Sequence, residues 1–159
     1  MTKEEKDLLL RDLCARLPYG VKIELTNSWG YHHENIAKKG DITIDILRGF
    51  SGKYFMINHD NPLDWDWSDN EIEIEDIKPY LFPLSSMTEE QWNNAPRANL
   101  TNFTFESLKC GCFTLASYTC ENNLYDLVEF INWLIENHFD IYGLIPKGLA
   151  IDATGKNIY

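Results

Sequence analysis

The chain has 159 residues, 44% of them apolar and 13% aromatic, which excludes a disordered segment and allows one domain with a real core. No apolar run approaches the roughly 18 residues that a membrane-spanning helix needs. The formal charge is −11, which argues against direct binding to a nucleic-acid backbone, because phosphate contacts need Lys and Arg.

In chain order, Thr2 with Glu5 has the form of a capping box, and Leu8, Leu9, Leu13 and Leu17 follow at helical spacing. A helix is predicted from about Lys3 to Leu17, ended by "PYG" at Pro18–Gly20. The same start is too charged and too periodic for a secretory signal, so a cytoplasmic location is expected. The four cysteines are then expected as reduced thiols, and the sequons at Asn99 and Asn102 carry no weight.

The period then changes to two. "VKIEL" (Val21–Leu25), "DITIDILRG" from Asp41, "KYFMI" (Lys53–Ile57) and "EIEIEDI" (Glu71–Ile77) read as strands. "GFSG" is a hairpin turn between the second and third, and Pro79 and Pro83 are expected to keep the chain out of a central strand position. Short alternating strands of this kind predict a small curled antiparallel sheet, an SH3-like or similar small barrel, over residues 20–84. "TNSWGYHHENIAKKG" is its long loop.

A helical and C-terminal cover is expected over residues 85–159. Thr88 with Gln91 repeats the capping-box form and opens a short helix, "EEQWNNA", stopped at Pro96. "NLTNFTFESLKCGCFTLASYTC" is rich in Thr, Phe and Tyr and predicts one or two strands. A second strong helix starts near Asn123, with Leu124, Leu127, Val128, Ile131, Leu134, Ile135 and His138 on one face. His138, at its end, suits a cation beside the helix dipole. The last residues carry Gly and Pro breaks and should wrap over the domain. The fold class is thus α+β, with Leu9, Leu13, Ile23, Ile44, Ile74, Leu127, Ile131 and Leu134 as core.

Charge is concentrated. From Asn58 to Gln91 there are ten acidic residues and one base, Lys78, whereas Met1–Ile57 is nearly balanced. Within "NPLDWDWSDNEIEIED", Asp64, Asp66, Ser68, Asn70 and Glu75 match calcium-loop spacing. Asp69, however, replaces the glycine that makes the sharp turn, and the flanks are not helical. Read as a strand, Glu71, Glu73 and Glu75 share one face, repeating about every 6.6 Å, with Ile72 and Ile74 on the other. Trp65 and Trp67 alternate with Asp64 and Asp66, an arrangement suited to Arg or Lys groups of a basic partner. The bland alternative is a solvated edge, charged against edge-to-edge pairing.

Other clusters are weaker. Cys110 and Cys112, with Cys120, have one residue inside the pair where zinc sites have two to four. His32, His33 and Glu34 form a polar loop without the spacing of a metalloprotease helix. "GFSG" has Lys53 in place of the second glycine of a nucleophile elbow, and "ATGKN" lacks the rest of a phosphate loop. No enzyme signature, metal or cofactor follows from these patterns.

Three blocks, "MTKEEKDLLLRDLCARLPYGV", "IEDIKPYLFPLSSMTEEQ" and "HFDIYGLIPKGLAID", resemble small acidic proteins encoded in phages and prophage-like elements of gut Bacteroides-type bacteria. That group has no assigned activity. The resemblance implies an accessory protein of a mobile element acting inside the host cell, and transfers no catalytic residue. Together these readings predict a non-enzymatic protein that binds a basic surface of a host or phage protein. The contact face would be Asp64, Trp65, Asp66, Trp67, Asp69, Glu71, Glu73 and Glu75, acting as an inhibitor or nucleic-acid mimic. The alternative is a small-ligand binder, of a nucleotide for instance, or an enzyme. Its pocket would lie between barrel and C-terminal segment, lined by His32, His33, Glu34, Tyr54 and Tyr80.

Overall fold

The computed structural model describes residues 1–26, 45–50, 54–58, 71–96, 104–110 and 124–159. Helix α1 spans Lys3–Arg16. Its capping box is reciprocal: the Glu5 amide donates to Thr2 Oγ1 at 3.2 Å and the Thr2 amide donates to Glu5 Oε2 at 2.7 Å. A tight turn at Leu17–Tyr19 ends it, and Gly20 adopts φ +66, a left-handed conformation that glycine enters without a Cβ penalty.

Among the described residues six strands follow: β1 Lys22–Leu25, β2 Asp45–Phe50, β3 Tyr54–Asn58, β4 Glu71–Glu73, β5 Ile77–Leu81 and β6 Ile151–Asp152. They form one sheet in the order β4-β3-β2-β1-β5-β6. All neighbours are antiparallel except β5 and β6, which run parallel through Tyr80↔Ile151 and Leu81↔Asp152. Only Ile74–Asp76, a single tight turn, lies between β4 and β5. A flat sheet would hold those two strands about 19 Å apart, four strand spacings. Three intervening residues reach no more than about 14 Å. The sheet therefore curls.

Its concave face carries Val21, Ile23, Leu25, Ile72, Ile74, Ile77 and Leu81, all buried with Leu9 and Leu13 of α1 and with Leu144, Leu149 and Ala150. The convex face carries Lys22, Glu24, Lys78 and Tyr80. The curl is not a closed barrel by hydrogen bonding: β4 and β6 stand at the two ends of the order, and the outer side of β5 is taken by β6.

Several expectations need correction. The strand expected over Glu71–Ile77 is broken at Ile74, where the chain turns from one end of the curl to the other. Pro79 lies inside β5, flanked by β1 and β6. It is tolerated because β6 pairs only with Tyr80 and Leu81, so at Pro79 itself β5 has a partner on one side alone.

Helix α2 spans Glu89–Asn94 behind the predicted Thr88–Gln91 box. Phe105–Lys109, expected as strand, is a short helix, α3, because Thr104 and Ser107 cap it in the same reciprocal way. Helix α4 spans Leu124–Glu136. Its buried face is Leu127, Phe130, Leu134 and Ile135, with Ile131 half-buried. Val128, expected inside, is 46% exposed, and Phe130 takes its place against Trp92 and Leu108. Ile44 lies outside the described residues, and the other core expectations are buried or half-buried. No helix among the described residues is long and apolar enough to cross a membrane.

Candidate functional site

Two polar regions stand out, one expected and one not. The expected one is the acidic strand. Asp64, Trp65, Asp66, Trp67 and Asp69 lie outside the described residues, as do His32, His33 and Glu34. Glu71 and Glu73 belong to β4, at the end of the strand order, with Met56 and Tyr54 as their register partners on β3. Ile72 between them is 1% exposed and belongs to the concave core. Glu75 does not continue their row. It sits on the Ile74–Asp76 turn, exposed, with an oxygen 3.1 Å from Lys6 Nζ.

Tyr80, expected beside Tyr54, is three strand positions away from it, on β5. Tyr80 is buried, and its hydroxyl donates to Glu24 Oε2 at 2.7 Å. Burial and this carboxylate both raise its pKa. Cys110 is exposed at the C-terminal end of α3, while Cys112 and Cys120 lie outside the described residues. Among the described residues no group of three or more His, Cys, Asp or Glu is placed to hold a metal ion.

The second region lies where α1, the end of α4 and the last nine residues meet. Asp12 and Arg16 are both fully buried, one helical turn apart. Arg16 Nε and Nη2 donate to Asp12 Oδ2 and Oδ1, each at 2.8 Å. Two of the three remaining guanidinium hydrogens reach across to the end of α4 and the turn after it: Nη1 donates to Ile135 O at 3.0 Å and Nη2 to Phe139 O at 2.7 Å. A helix leaves its last carbonyls without partners inside the helix, and Arg16 supplies donors and positive charge at that end. Burial raises the Asp12 pKa, against the hydrogen bonds and charge of Arg16, which lower it.

This arrangement corrects the expectation for His138. The cation complementing the α4 dipole is Arg16, and His138 is held neutral, its pKa pushed down to about 4 by burial first and then by the charges of Arg16 and Lys22. The His138 backbone has φ +59. Its amide donates to Ile135 O and the Phe139 amide to Leu134 O, the paired bonds of a Schellman ending, a position usually held by glycine. The imidazole is stacked on the Tyr159 ring, centroids 4.0 Å apart and planes 16° from parallel. Its Nδ1 is buried without a hydrogen-bond partner.

Tyr159 is the hub of the C-terminal segment. Its hydroxyl donates to Tyr80 O at 2.8 Å and accepts from the Lys22 amide at 3.0 Å. Lys22 Nζ donates to Ile158 O and lies 5.6 Å from the Tyr159 ring centroid. Ile158 and Ala153 pack on Tyr80, so residues 151–159 cover the convex face of β1 and β5. Asp140 completes the turn before this segment, its carboxylate accepting the Leu144 and Ile145 amides at 2.8 Å each.

The sequence held a signal for this junction. Leu9, Asp12, Leu13 and Arg16 fall at i, i+3, i+4 and i+7, so two charged residues occupy the apolar face of α1 itself. Tyr159 and Lys22 carried no comparable signal, since their contacts join segments far apart in the chain. Chemically the junction is a satisfied ion pair and a phenol clamp, with one unsatisfied imidazole nitrogen. Comparison with family models, with characterised proteins and with solved structures finds no match.

Proposed function

We propose that this chain is a non-enzymatic, acidic interaction protein of a mobile element, acting in the host cytoplasm by covering a basic surface of a host or phage protein. The observation behind this reading is the anchoring of β4. Ile72 is locked in the concave core while Glu71 and Glu73 alternate with it on the last strand of the order. A backbone already held in a packed strand would meet a partner without further ordering cost. They continue in sequence from Asp64, Trp65, Asp66, Trp67 and Asp69, and Glu75 follows on the next turn. Carboxylates steer a basic partner at long range, and tryptophans suit the role of anchors.

The same proposal reads the curled sheet as an SH3-like small barrel. Its support is the antiparallel order β4-β3-β2-β1-β5 and the single tight turn that returns the chain from β4 to β5.

The test is capture from nuclease-treated host lysate by the tagged protein and by a double charge reversal, Glu71→Lys with Glu73→Lys. One protein retained at low salt, released at high salt and absent with the reversed variant is the expected result. Equal capture by both forms would show that these acids are a solvated edge.

A further inference from the structure

We propose that residues 151–159 form an acid-released latch: protonation of His138 frees Tyr159 from the imidazole and uncovers the convex face of β1 and β5. The argument starts from what surrounds the ring. Arg16, paired with Asp12, approaches from α1, and Lys22 approaches from β1. Tyr159 covers one face of the imidazole. Asp140, two residues on, spends both carboxylate oxygens on the amides of Leu144 and Ile145. Tyr80, on β5, turns its hydroxyl away to Glu24. Among the described residues neither Asp140 nor Glu24 is thus turned toward His138 to receive a new charge, and Nδ1 is buried without a hydrogen-bond partner.

Stacking of an imidazolium on a phenol ring is attractive in general. That ring already faces Lys22 Nζ, and a second cation there adds repulsion. The balance lies with the neutral form, in keeping with the low pKa of His138. Tyr159 itself, pushed up to about 12 mainly by burial, stays neutral throughout.

What yields on protonation is decided by how each neighbour is held. The end of α4 is fixed by its Schellman bonds and by two donors from fully buried Arg16. The C-terminal segment has a two-residue strand, the Ala153 amide on Leu81 O, and the contacts of Ile158 and Tyr159. Thr154–Asn157 are exposed. Segments with few buried contacts open first. Once open, the imidazole reaches water and regains an ordinary pKa near 6.5. The exposed surface would be Lys22, Glu24 and Tyr80, a mixed charged and aromatic strip.

Amide hydrogen exchange of the full chain between pH 7 and pH 4.5, corrected for intrinsic rates, tests this. The reporters are Ala153, which donates to Leu81 O, and Lys22, which donates to Tyr159 Oη. Their protection should fall roughly tenfold or more across that range, as linkage to one proton requires, and should lie below that of Leu13 and Leu134 at every pH, because the latch opens without global unfolding. In His138→Phe, which retains a stacking ring without a titrating nitrogen, the fall should vanish. Three results overturn the proposal: protection that stays constant, the same fall in the variant, or protection at Ala153 equal to that at Leu13. Should the variant fail to fold, NMR titration of the wild-type imidazole decides. A midpoint near 6.5 with Ala153 still protected overturns the latch; a depressed midpoint that tracks the loss of Ala153 protection supports it.

Discussion

Helix α1 carries two ion pairs in opposite settings. Near its N-terminal end Lys6 meets Glu75 with 44% of each side chain exposed; near its C-terminal end Asp12 and Arg16 meet with essentially none. Both pairs are short, yet water screens the first, while the second has exchanged its hydration for two carboxylate and two carbonyl contacts. Distance alone therefore says little about what a charge does here. Glu75 stands in water on the turn after β4, so its charge is screened whether or not Lys6 is near. Asp12 and Arg16 are needed by the fold and are unavailable to anything else.

The sharpest way to break that contrast is Arg16→Ala. It leaves Asp12 buried without a counter-charge and takes one donor from each of Ile135 O and Phe139 O, of which Ile135 O keeps the His138 amide, so a loss of about 4 kcal/mol is expected in urea unfolding. Replacing the pair together, Asp12→Leu with Arg16→Met, should recover most of that loss, because no charge is then stranded.

Next in size is acid sensitivity. His138 has a folded pKa of about 4 against 6.5 as a free group, so between these values the unfolded chain binds more protons. Stability contributed by this residue is fully present above pH 6.5 and is lost as pH falls toward 4. The loss is about 3 kcal/mol in total, and His138→Phe should remove that component from the pH dependence. Thr2→Ala, which removes one member of the α1 capping box, should cost about 1 kcal/mol. Smallest is Glu75→Ala, expected to change stability by less than about 0.5 kcal/mol. A loss above about 1 kcal/mol would mean that the exposed pair does structural work.

Local signals were legible and long-range ones were not. Thr2–Glu5 and Thr88–Gln91 announce their helices because a capping box is complete within four residues. Thr104–Ser107 has the same logic, but the surrounding Thr, Phe and Tyr favour strand by composition and mask it. Ile23, Leu25 and Ile72 were placed by alternation alone. The break at Ile74 was not, since it follows from where β4 and β5 sit in the curl. Val128 and Phe130 exchange roles because Trp92 and Leu108 lie against one side of α4, which no spacing within α4 reveals. Of the acidic site, the alternation of Glu71, Ile72 and Glu73 was readable, and the displacement of Glu75 was not. The junction at His138 was hidden most deeply, for its partners come from α1, β1, β5 and the last residues together.

Arg16 finds its carbonyl partners 119 and 123 residues later in the chain. At a ribosome adding about 5–20 residues per second, that interval lasts on the order of ten seconds. Through it the sheet residues that receive Leu9 and Leu13 are already made, but Asp12 and Arg16 have only each other. Until then the pair stays in water, and it is the arrival of Ile135–Phe139 that dries Asp12 and Arg16.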